Sequence, residues 1–70
     1  MPLTMVQAGQ TVRICRITGR DEVRQHLAEL GFVVGASVTV VNVLGGNLIL
    51  QVQESRVALD KTLALRILVA

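Results

Sequence analysis

Hydrophobic and polar positions along the chain fall into short runs with two different periods. TVRICRI, from Thr11 to Ile17, is rich in β-forming residues and carries Val12 and Ile14 on one side with Cys15 and Ile17 near the other. It predicts a strand, preceded by a turn through Gly9. In TGRDEVRQHLAELGF the period becomes helical, with Val23, Leu27 and Leu30 recurring on one face. Thr18 with Asp21 fits a capping-box start, and Asp21 itself is the alternative cap. Gly31 ends the helix. With Gly31 in the left-handed C′ position, Phe32 falls at C″ and should pack on Leu27, the contact that accompanies a Schellman motif. VVGA then reads as a tight turn that needs Gly35 at positive φ.

The stretch from Leu30 to Gln53 contains no charged side chain, and a membrane helix takes about 20 mostly apolar residues. Its glycines and asparagines argue otherwise, because GGN between two valine- and leucine-rich runs is a hairpin signal. LILQVQ alternates, with Leu48, Leu50 and Val52 on the side that should face a core. SVTVVNVL puts Val38, Val40 and Leu44 on one face and Ser37, Thr39, Val41 and Val43 on the other. A three-residue Gly45-Gly46-Asn47 loop pairs Leu44 with Leu48 and Val40 with Val52, and is the expected register. A two-residue Gly45-Gly46 loop would set Val43 opposite Leu48. Downstream, Glu54-Ser55 turns the chain into RVAL, Asp60 caps a helical turn in DKTLA, and RILV closes the chain. The order predicts an all-β fold: a small SH3-like five-stranded barrel with one short α-helix between strands 1 and 2, a single domain over residues 1–70.

Composition sharpens this picture. A chain of 70 residues buries only about 60% of the surface its unfolded form exposes, yet 51% of its residues are hydrophobic. Some of that apolar surface should therefore lie outside and serve an interface. The net charge of +2 is too small for a surface built to neutralise many phosphates. With Phe32 as the sole aromatic residue, neither a proline-peptide groove nor base stacking on nucleic acid has the rings it needs. One cysteine excludes an internal disulfide, and the opening MPLTMVQAGQ lacks the pattern of a secretory signal, so the cytoplasm is the expected compartment.

Candidate chemistry is sparse. Catalytic residues and a cofactor are not expected: there is no Ser/His/Asp set and no phosphate loop, since Gly45-Gly46 precedes a strand and not a helix. For metal, Glu22 and His26 have the i, i+4 spacing of a helical ligand pair, with Glu29 one turn further on, but two ligands make a solvated pair more often than a site. Cys15 reads as a small core or half-core hydrophobe. Partner-binding candidates are Arg20 and Arg24, one helical turn apart and flanked by Arg13 and Arg16, together with the aliphatics Val41, Val43 and Ile49.

The ordered set of a Gly9 turn, a strand, a helix ending in LAELGF, the Gly35 turn, VTVV, an LGG hairpin, VAL, Ala64 and a closing Ile67 and Val69 resembles the FeoA family over nearly the whole chain. It departs from the family's usual pattern at Val34, Val43, Asn47 and Asp60. The resemblance implies a small non-enzymatic accessory protein of bacterial ferrous-iron uptake, with transition-metal chemistry reached through its partner. That partner would be the cytoplasmic G-protein domain of a FeoB-type membrane transporter, so the chain would need no membrane span of its own. The alternative is a freestanding regulatory barrel related to the C-terminal module of DtxR-type metal-dependent repressors. Self-association through the exposed aliphatic face is compatible with either.

Overall fold

Leu48, Leu50 and Val52 are all buried, as their alternation requires, on the face of the sheet that packs into the core. In the computed structural model, which describes residues 1–70, the strands are β1 (Thr11–Ile17), β2 (Ser37–Leu44), β3 (Asn47–Val52), β4 (Ser55–Asp60) and β5 (Ile67–Val69). Helix α1 (Asp21–Glu29) joins β1 to β2, and the single turn α2 (Lys61–Ala64) joins β4 to β5. The strands form one antiparallel sheet in the order β4-β3-β2-β1-β5. No ladder joins β4 to β5, so the expected barrel is open at that seam. A 3₁₀ turn at Leu3–Met5 and α2 pack there, contributing Leu3 and Ala64 to a core of 14 buried residues.

Cross-strand registers sort the two faces. One row runs Thr11, Thr39, Gln51, Arg56 across four strands and is polar throughout. Within it Thr11 and Thr39 share a hydroxyl hydrogen bond of 2.7 Å, and the Arg56 Nε donates to Gln51 Oε1 at 3.3 Å. The neighbouring row, Val40, Leu50 and Val57, lies on the core side.

Two β-bulges overturn the simple alternation. In β2 the register shifts between Val40 and Asn42, leaving Val41 as the extra residue. The hairpin therefore closes through the two-residue loop Gly45-Gly46, with Leu44 opposite Asn47, Val43 opposite Leu48 and Val40 opposite Leu50. The expected three-residue loop is wrong. It assumed unbroken alternation through β2, and one inserted residue reverses every face beyond it. In β1 the register with β5 shifts between Ile14 and Arg16, around Cys15. Ile17 thereby joins Ile14 on the inner side, and Cys15 is exposed and not in the core, its thiol donating to the Leu68 carbonyl at 3.3 Å.

Helix α1 ends as expected. Gly31 has φ +105°, the Phe32 N–H donates to Leu27 O at 2.9 Å and the Gly31 N–H to Ala28 O at 3.0 Å, the paired bonds of a Schellman motif. Phe32 and Leu27 are both fully buried, each contributing about 1.5–3 kcal/mol of burial. The N-terminus differs. Arg20 occupies the cap with no side-chain bond, and Thr18 turns its hydroxyl to the Arg66 carbonyl instead. Asp21 and Glu22 sit in the first turn, where the helix dipole favours negative charge.

Candidate functional site

The β1 bulge turns two consecutive side chains, Cys15 and Arg16, to the outside, next to the exposed Arg13. Pairing with β5 then sets Leu68 opposite Arg16. At the end of β1 the Thr18 N–H donates to Arg66 O at 2.8 Å, and the Arg66 side chain runs along Gly19, its Cδ 3.5 Å from where a Cβ on that glycine would stand. Arg20 follows at the entrance to α1. Arg13, Arg16, Arg20 and Arg66 thus gather around the β1–β5 edge and the turn leading into the helix.

None of the four forms an ion pair. The one ion pair of the molecule joins Arg24 to Asp21 on α1, so Arg24, a sequence candidate, already has a carboxylate partner. Arg66 replaces it in the cluster. Nothing local marked Arg66, which stands far along the chain and comes to Gly19 through the β1–β5 ladder alone. Guanidinium groups on this part of the surface can orient an acidic or mixed surface on approach.

The aliphatic candidates do not share a face. Val43, 44% exposed, lies opposite Leu48 and so on the core side of the hairpin, beyond the end of the core. Ile49, half-buried, lies on the outer side between Asn42 and Ala58. Val41 is half-buried within the bulge. The single apolar stripe expected from alternation is broken by the same inserted residue that changes the loop. The hairpin end nonetheless exposes Val43 and, at 57%, Leu44.

Glu22, His26 and Glu29 lie exposed on α1, and no three His, Cys, Asp or Glu side chains converge anywhere in the molecule. An open groove of about 590 Å³ lies between the turn at residues 33–36 and the outer face of β2 and β3, lined by Val33, Val34, Ala36, Thr39, Gln51 and Gln53 among others. It contains none of the candidates read from the sequence. The turn forming its rim is held by Ala36 N–H to Val33 O at 3.0 Å, with Gly35 at φ +91° as expected.

Comparison with known proteins places this geometry. The family model described as "FeoA domain" matches residues 1–70. A crystal structure of an iron uptake regulatory protein, FeoA, superposes with a TM-score of 0.91 at 32% identity, over 99% of this chain and 92% of that one. The zinc complex of FeoA from Stenotrophomonas maltophilia, described as a prokaryotic SH3 domain protein, gives 0.87 at 30% identity, over 100% of this chain and 89% of the other. A manganese-dependent transcriptional repressor complexed with manganese gives 0.91 at 20% identity, over all of this chain but 35% of its own length, a likeness of fold. Among curated proteins no sequence matches. With the family model covering every residue and the SH3-like fold reproduced in both FeoA structures, the chain belongs to the FeoA family.

Proposed function

We propose that this chain is a non-enzymatic accessory protein of bacterial ferrous-iron uptake, acting by binding the cytoplasmic G-protein part of a FeoB-type transporter. The family match over residues 1–70 carries the reading. The unpaired arginines 13, 16, 20 and 66 support it, because a positive face beside half-buried aliphatics such as Leu68 suits docking on an acidic or mixed protein surface. Charge there sets encounter rate and orientation, and apolar contacts hold the complex. No helix is long and apolar enough to cross a membrane. On this reading iron is the cargo of that partner.

Affinity capture from solubilised bacterial membranes, with the chain as bait, tests this reading. Recovery of the transporter, lost when Arg16 and Arg20 are both changed to Glu, is the expected outcome. The fold shared with the manganese-dependent repressor favours the alternative of a regulatory module, and recovery of a helix-turn-helix protein in place of a transporter would select it.

A further inference from the structure

The β4 strand leaves one edge of the sheet open. Its ladder with β3 begins at the pair Val52–Ser55, which flanks a two-residue connection, and ends where the Lys61 N–H donates to Gly46 O at 3.1 Å. Hydrogen-bonded pairs alternate along an antiparallel ladder. Ser55, Val57 and Leu59 therefore turn their backbone groups toward β3, while Arg56, Ala58 and Asp60 turn theirs outward. The outward groups of Arg56 and Ala58 and the Asp60 N–H take part in no turn, loop or side-chain hydrogen bond elsewhere in the molecule, while the Asp60 C=O, at the N-cap of α2, accepts the first bond of that helix through one lone pair.

We propose that this edge joins two copies of the chain, β4 pairing antiparallel with β4 about a two-fold axis at Ala58. In that register Ala58 faces Ala58 and Arg56 faces Asp60 of the second copy, so that the Ala58 groups pair with each other, the Asp60 N–H with the Arg56 C=O, and the Arg56 N–H with the remaining lone pair of the Asp60 C=O. Oppositely charged side chains then stand directly across the strands on both sides of the axis, a favourable cross-strand pair. Both are free to make it. Arg56 uses only its Nε on Gln51, leaving the two Nη groups, and Asp60 uses Oδ1 on the Leu63 N–H at 2.8 Å, leaving Oδ2. On the inner side the half-buried Val57 meets Leu59 of the second copy.

Neighbouring registers lose these matches. A shift one way sets Asp60 against Glu54, and a shift the other way runs Arg56 off the strand onto Thr62, inside α2. The interface is isologous, so it closes on itself at two copies. This pairing is separate from the outward face of β1, where the unpaired arginines stand, and leaves that face free for a different partner.

Sedimentation equilibrium from micromolar to millimolar protein, together with amide NMR over the same range, tests the proposal. The expected result is a reversible monomer–dimer equilibrium, with concentration-dependent shifts at the amides of Arg56, Ala58 and Asp60 and smaller ones at the already bonded amides of Val57 and Leu59. Arg56→Glu and Asp60→Lys should each weaken dimerisation by about tenfold or more, since each places like charges across the strands. Mixing the two variants restores it, because every facing pair is then of opposite sign. Should Asp60→Lys unfold, Ala58→Pro is the second variant: its missing N–H belongs to the open edge, so the fold is kept and pairing is blocked. A chain that stays monomeric at millimolar concentration overturns the proposal. So does a dimer that survives Ala58→Pro and both charge variants, or one whose amide shifts map elsewhere.

Discussion

Replacing Gly31 with alanine isolates the backbone contribution to helix termination. At φ +105° an L-residue is strained, whereas the added Cβ would meet the Val52 methyls at 3.6 and 3.7 Å and Gln53 Cδ at 3.8 Å, ordinary contacts that displace nothing. The cost is therefore conformational, about 1–2 kcal/mol for a left-handed L-residue, partly offset by the ~0.4–1 kcal/mol that alanine contributes by restricting the unfolded chain. A net loss of roughly 1 kcal/mol lowers the melting temperature of a domain this size by about 4–8 °C. Gly46 is the matched control. It has no positive φ, and no heavy atom lies within 4 Å of the point where its Cβ would stand, so Gly46→Ala should raise stability by up to about 1 kcal/mol. Thermal melts followed by circular dichroism compare the two variants with the parent. Equal destabilisation by both substitutions, or none by Gly31→Ala, would refute the reasoning.

Other substitutions probe separate elements. Phe32→Ala removes a fully buried ring and should cost about 3–5 kcal/mol, against a total stability on the order of 4–10 kcal/mol for this length, seen as a large fall in the urea midpoint. Asp60→Ala removes the acceptor of the Leu63 N–H and should cost about 1 kcal/mol, while Asp60→Asn retains most of the cap in the same titration. Cys15 is exposed, so a thiol reagent should label it in the native state as fast as in urea, and Cys15→Ser should change stability by less than about 0.5 kcal/mol. Strong native protection of the thiol would place Cys15 in the core after all.

What the sequence made legible was local. The Schellman end of α1 depends on residues within one turn of Gly31, the Gly35 turn on four consecutive residues, and the α2 cap on Asp60 and Leu63, and all three formed as expected. What it concealed depends on pairing between distant strands. The bulges at Cys15 and Val41 are set by how β1 meets β5 and β2 meets β3, and no residue type there announces them. Each bulge displaced a reading of function as well as of fold, moving Cys15 to the surface and placing Val43 and Ile49 on opposite faces. Thr18 lost its capping role to a carbonyl far along the chain, and the same contact brought Arg66 into the arginine cluster.

Calorimetric titration of the chain into the purified cytoplasmic G-protein part of a FeoB-type transporter bears most directly on the proposed function. Saturable binding is expected, weakening as salt is raised and falling by about tenfold or more when Arg16 and Arg20 are reversed to Glu, because charge at this face orients the encounter. No binding at any salt concentration, or binding indifferent both to salt and to the reversed arginines, would contradict it.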